Sequence, residues 1–168
     1  MKPIAAIRPC MVDGNQLRTV MGNFAAGVTV VTLPEPHHGI TVNAFASVSL
    51  SPPLVLICID HDTETYERLA DGAERYCVNV LAGDQRHLGE HFARMAEHGD
   101  PFLEASTRTE ATGAPVFEES LAYLDCSLYE AVEAGDHTIY VGEVAAAEAL
   151  RPDAPALMYF RGEWDHIE

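Results

Sequence analysis

Leu54-Val55-Leu56-Ile57-Cys58-Ile59 is the longest uninterrupted apolar run in the chain, and it covers only six positions. Ser51-Pro52-Pro53 stands before it, and a proline cannot donate to a strand ladder, so the run opens a strand rather than continuing one. A run this short, bounded by a breaker and rich in branched side chains, reads as a strand covered on both faces, at the centre of a sheet. It falls far short of the roughly 20 apolar residues that cross a bilayer as a helix. The opening stretch Met1 to Pro9 holds no apolar segment of signal-peptide length, so a cytoplasmic location is expected.

The rest of the chain repeats the theme. Gly27 to Leu33 is β-branched and strand-like, Pro34 to Gly39 breaks it, and Ile40 to Leu50 forms a second run, so the pair reads as a hairpin. Further strands are expected over 75–81, 121–132, 137–150 and 157–160, with Gly135-Asp136 as a turn between two of them. Three helices are expected. One starts near Gly14-Asn15 and carries Leu17, Val20, Met21 and Phe24 as one apolar stripe that should pack on a sheet. The second covers Thr63 to Ala70, and the third is capped by Asp84 and runs past Met95 towards Gly99. Residues 99–115 lack a period and read as loop. About seven strands joined mostly by hairpin-length links, with three helices, make a mainly β (α+β) chain whose antiparallel sheet closes as a barrel, in one domain.

Charge narrows the partners. With 26 Asp and Glu against 10 Lys and Arg the formal charge is −16, which repels phosphate backbones and anionic lipid, so neither nucleic acid nor membrane is expected. Cys10, Cys58, Cys77 and Cys126 are scattered and read as small buried hydrophobes. His87-Leu88-Gly89-Glu90-His91 fits the H-x-x-E-H zinc pattern, but it lacks a third ligand and Gly89 loosens the helix, so a solvated helix face is preferred and no metal is expected. His37-His38, in the Pro/Gly loop, reads as solvated. No G-x-G-x-x-G, P-loop or G-x-S-x-G occurs, which sets aside the common nucleotide folds and the hydrolase elbow. Within 40–50, a period of two puts Thr41, Asn43, Phe45, Ser47 and Ser49 on one face and Val42, Ala44, Ala46, Val48 and Leu50 on the other. Neutral donors beside small alanines suit a phosphate or a polar heteroaromatic ring; they equally suit a half-buried strand showing water its polar side.

Residues 17–32 (Leu17-Arg18-Thr19 through Gly27-Val28-Thr29-Val30-Val31-Thr32) and 41–55 (Thr41-Val42-Asn43-Ala44 through Pro52-Pro53-Leu54-Val55) resemble the flavin reductase family. Tyr76 to Leu81, Gly135-Asp136-His137-Thr138-Ile139, Val141 to Val144 and Tyr159-Phe160-Arg161-Gly162 extend the resemblance in order, leaving residues 1–16 as an N-terminal extension to a domain over 17–168. The resemblance implies a six-stranded Greek-key split β-barrel of the FMN-binding type, a homodimer, and an NAD(P)H:flavin oxidoreductase. Such a protein passes a hydride from NADH or NADPH to FMN or FAD and supplies reduced flavin to a partner monooxygenase. It further implies flavin contacts from Thr41, Val42, Asn43, Ala44, Ser47, Val48 and Ser49, phosphate contacts near Asp62 and Thr63, and flavin-tail contacts from Phe92 and Arg94. His137 falls where nicotinamide docks and is the candidate catalytic side chain. The same barrel serving as a flavin store or electron carrier, without NAD(P)H turnover, is the alternative.

Overall fold

A computed structural model describes residues 12–34, 36–95 and 99–167. The chain runs through helix α1 (Gly14–Met21), then strands β1 (Ala26–Gly27), β2 (Thr29–Leu33), β3 (His38–Val42), β4 (Phe45–Leu50) and β5 (Pro53–Asp60). Helix α2 (Glu64–Ala70), β6 (Arg75–Val80), a single 3-10 turn (Gly83–Gln85) and helix α3 (Arg86–Phe92) follow. After these come helix α4 (Pro101–Glu104), β7 (Thr107–Thr109), β8 (Pro115–Phe117), β9 (Ala122–Ala134), β10 (His137–Ala149), β11 (Ala156–Phe160) and β12 (Glu163–Ile167). Seven strands pair antiparallel in the order β3-β2-β6-β9-β10-β5-β4, so the fold is mainly β as expected. Smaller sheets β1-β11-β12 and β7-β8 stand beside it.

Several expectations need correction. The run 40–50 is not one strand. It divides at Asn43-Ala44 into β3 and β4, which lie at opposite edges of the seven-stranded sheet, so this dipeptide carries the chain from one edge to the other. A register shift between Ser47 and Ser49 then leaves Val48 as an extra residue, and the supposed apolar face ends with Leu50 94% exposed. The strand β5 is not central either. It lies between β10 and β4, burying Val55, Ile57 and Ile59 while Leu54, Leu56 and Cys58 stay half-buried. The five-residue β2 and the three-residue β8 are buried along their whole length; in β2, α3 and β11 cover the face that α2 and the barrel core do not.

The α1 stripe packs on no sheet. Asp13 caps the helix with Gln16 in a reciprocal capping box, yet no residue of α1 is buried. Helix α3 stops at Phe92, short of Met95. The stretch 99–115 holds α4 and β7, each too short to show a period. The strand expected over 137–150 is a continuous thirteen-residue β10, bent at two register shifts. Cys77 and Cys126 are buried as expected, Cys58 is half-buried, and Cys10 lies outside the described residues.

Two packed clusters fix the functional surfaces. One joins Val31, Leu33, Val55, Ile57, Ile59, Tyr76 and Val78 under α2. The other sets Val28, Val30, Leu81, Leu88, Phe92 and Phe117 between β2, α3 and β11. A buried amide ties β2, β6 and β8: Asn79 Oδ1 accepts from the Phe117 N–H at 2.9 Å, and its Nδ2 donates to Val30 O, Thr32 Oγ1 and Pro115 O, each at 3.3 Å. No helix among the described residues is long and apolar enough to cross a membrane.

Candidate functional site

The crossing at Asn43-Ala44 separates two clefts. Thr41, on β3, faces the first, a cavity of 290 Å³ that Thr63, Phe92 and Arg94 also line. The Thr41 hydroxyl donates to Gly89 O at 2.6 Å and so pins α3 against β3. Thr63 caps α2: its Oγ1 accepts from the Tyr66 N–H at 3.2 Å and donates to Asp60 O at 2.7 Å. Arg94 closes α3 in an unusual way. Its N–H bonds His91 O and the Met95 N–H bonds Glu90 O, both at 2.9 Å, which is the Schellman pattern. Such a motif needs a left-handed residue where glycine is favoured, and Arg94 holds it at φ 57. Its guanidinium makes no ion pair among the described residues, whereas Arg68 beside the same cleft is bound to Glu64 at 2.7 Å.

His38 belongs to this cleft, contrary to the solvated reading. It sits on β3 with its side chain 15% exposed, and Nε2 meets Thr65 Oγ1 at 2.8 Å. Burial lowers its pKa below the ordinary histidine value, Glu64 at 3.6 Å opposes that shift, and the charges of Arg68 and Arg94 add to it. Gly39 next to it lets the Phe92 ring approach. A Cβ there would lie 2.6 Å from Phe92 Cε1.

Asn43 faces the second cleft, of 580 Å³, with Arg18, Asn23, Tyr159, Arg161 and Gly162 among its lining. The sequence reading assigned no role to these neighbours, although Arg161-Gly162 between two strands is a recognisable turn signal. The other expected residues scatter. Val42 is in the core at 6% exposure, Ala44 is exposed, Ser47 and Val48 are exposed on β4, and Ser49 Oγ accepts from the Ser51 N–H at 3.2 Å. Asp62 is exposed on the turn before α2. His137 opens β10 opposite Asp60, with Nδ1 bonded to Asp136 Oδ1 at 2.7 Å. That bond holds the Asp136 carboxyl below its usual pKa. With Nδ1 engaged, Nε2 is the ring nitrogen left for a ligand. Among the described residues no three or more His, Cys, Asp or Glu gather as a metal site.

The fold has relatives. The flavin reductase like domain matches residues 21–168. The chain belongs to the flavin reductase family. It is 42% identical over 158 residues to the NADH-dependent FAD reductase of Streptomyces globisporus, a match spanning 88% of this chain and 84% of that one. Identity to a probable flavin reductase of Rhizobium meliloti is 40% over 139 residues, 81% of this chain but only 44% of the relative's length. The structure superposes with a TM-score of 0.84 on a Streptomyces globisporus NADH:FAD oxidoreductase solved with NAD and FAD fragments, at 38% identity and 93% coverage of both chains. Fold, family and the flavin reductase class expected from the residues all agree with these relatives.

Proposed function

We propose that this flavin reductase takes NADH or NADPH and FMN or FAD into the clefts flanking Asn43-Ala44 and hands reduced flavin to a partner monooxygenase. The observation that carries the reading is the crossing itself: Thr41 lines one cleft and Asn43 the other, so one short segment serves both. The residues fit a flavin phosphate, because Arg94 makes no ion pair among the described residues and lines the cavity with the hydroxyls of Thr63 and Thr65, while Glu64 of the same lining is bound by Arg68. When both nucleotides are bound, the chemistry they supply is hydride transfer from nicotinamide C4 to flavin N5. The protein's own work is orientation: Thr41 and Thr63 use their hydroxyls to fix α3 and α2, and Asp136 fixes the imidazole of His137. His137 then offers Nε2 as a hydrogen-bonding group to the nicotinamide end.

We read the chain as a cytoplasmic homodimer. Leu17 at 55%, Val20 at 66% and Phe24 at 70% exposure on and beside α1 form an unpartnered apolar stripe, and a second copy would cover it. Sizing across a range of concentrations checks this, and a monomer with full flavin affinity contradicts it.

Purified protein should oxidise NAD(P)H in proportion to added flavin, and His137→Ala should raise KM for NAD(P)H or slow flavin reduction while flavin affinity stays unchanged. Flavin binding without any NAD(P)H oxidation would make the protein a flavin carrier instead.

A further inference from the structure

His87-Leu88-Gly89-Glu90-His91 is a motif that the reductase reading leaves unused. The structure puts it on α3, so its two histidines stand one helical turn apart on the same side of the helix. Both line one cavity of 260 Å³ between α3 and α4, together with Leu88, Pro101, Glu104 and Ala105. The carboxylate of the motif is spent elsewhere, since Glu90 is bound to Arg86 at 2.7 Å. Glu104, brought in by α4, is the carboxylate in the lining.

Two features set this pair apart from a solvated helix face. His91 is half-buried, and its Nδ1 is buried with no hydrogen-bond partner among the described residues. An imidazole nitrogen shut away from water without a partner costs free energy, and a ligand that engages the ring recovers part of it. The second feature is charge. Neither arginine nor lysine is among the described residues that line the cavity, so nothing there competes with an incoming cation for Glu104. Imidazole is a good ligand for zinc, nickel and copper, whereas magnesium and calcium are taken by sets of oxygen atoms.

Among the described residues no three His, Cys, Asp or Glu gather as a complete site. Two imidazoles at this spacing on a helix nevertheless form a chelate, with water in the remaining positions. We propose that His87 and His91 bind a divalent transition ion such as zinc in this way, with Glu104 balancing its charge from across the cavity. The inference stands apart from the reductase reading, because no step of hydride transfer uses the ion. Its place bears on the fold: α3 ends at Phe92, two residues before Arg94, and both line the first cleft. His91 also lines a neighbouring cavity of 350 Å³ with His37, His38 and Arg94. An ion on His91 therefore braces the helix that carries the cleft wall.

The test titrates the metal-free full chain with zinc, nickel and magnesium chlorides against a competing chromogenic chelator, with thermal melts alongside. Wild type is compared with His87→Gln, His91→Gln, Glu104→Gln and His37→Gln. Wild type should bind zinc or nickel at a single site and gain Tm with either, while magnesium does neither. His87→Gln and His91→Gln should each weaken zinc about tenfold or more, because one imidazole cannot chelate. Glu104→Gln should weaken it less, and His37→Gln should stay within twofold of wild type. His87 is exposed, so His87→Gln should keep the metal-free Tm, and its loss of zinc is then not a loss of fold. Equal binding of magnesium and zinc would assign the ion to the acidic surface at large and overturn the proposal. So would zinc affinity unchanged in both α3 variants, or affinity lost in His37→Gln and kept in His87→Gln, which would put the ion in the neighbouring cavity.

Discussion

Gly39→Ala tests whether the Phe92 wall of the Arg94 cleft is as tight as the structure has it. Gly39 has no positive φ, so alanine meets no backbone penalty and the whole effect is one of space. A Cβ at this position would stand 2.6, 2.8 and 3.1 Å from Cε1, Cδ1 and Cζ of Phe92. The ring has little room to retreat. It is 8% exposed, with Phe102 at 5.4 Å and Phe117 at 5.9 Å between centroids. Overpacking of this kind costs about 1–3 kcal/mol. The lower unfolded-state entropy of alanine returns about 0.4–1 kcal/mol. Taking the middle of each range, the net is about 1.3 kcal/mol, a fall in Tm of about 3–5 °C for a domain of this size. Because Phe92 and Arg94 share the cleft, FMN affinity should fall with it. Gly27→Ala is the control, since nothing lies within 4 Å of its Cβ position. Thermal melts and FMN titrations on both variants, and on Gly39→Ala with Phe92→Leu, give the answer. The double variant should show a coupling of about 0.5–3 kcal/mol, the smaller side chain relieving the clash. Equal Tm and equal FMN affinity for Gly39→Ala and Gly27→Ala would refute the reasoning.

Three further outcomes follow from buried polar groups. Asn79→Ala strips the Phe117 N–H of its acceptor in the core and should destabilise the protein by about 1–3 kcal/mol in urea titrations, more than an exposed Asn15→Ala. Tyr76→Phe removes a buried hydroxyl that has no hydrogen-bond partner among the described residues, so Tm should rise, and a fall would mean that the hydroxyl is bonded. His38 is held below its ordinary pKa chiefly by burial, so as pH falls through 6.5 the unfolded chain takes the proton first and stability declines. His38→Gln should flatten the stability profile between pH 7 and 5.5, above the range where Glu64 titrates, and an unchanged slope would reject that assignment.

Most of the sheet was legible because its strands are β-branched runs bounded by Pro, Gly or Asp, and the turn at Gly135-Asp136 joins β9 to β10 where its residue types put it. The misreadings share a cause. Nothing in Thr41-Val42-Asn43-Ala44-Phe45 marks a break, since no Gly or Pro interrupts it, and only the closure of the sheet sends β3 and β4 to opposite edges. The stripe on α1 has a sound helical period, but a period says that a face is apolar and not what covers it. The strand β5 fails in the same way, its second face being half-buried in the isolated chain. The α1 stripe is the apolar surface on which a second copy is proposed to sit.

The site was legible in part for a different reason. Short polar residues at 41–49 drew attention as a group, and the fold keeps only Thr41 and Asn43 of them on the two clefts, with Thr41 spending its hydroxyl on Gly89 O. Arg94 comes with the family resemblance, so Arg18 and Arg161 are the larger omission. A sequence gives the number of arginines but not which ones a carboxylate neutralises. Pairing depends on neighbours distant in sequence: Arg151 meets Asp84 at 2.8 Å across 67 residues, whereas Arg161 reaches back to the amide of Asn23. Since a paired guanidinium would have to give up its carboxylate before binding phosphate, only the unpaired ones are free to act at once. That is why we propose the Arg94 and Arg161 clefts, rather than the acidic surface at large, as the places where an anionic cofactor meets this protein.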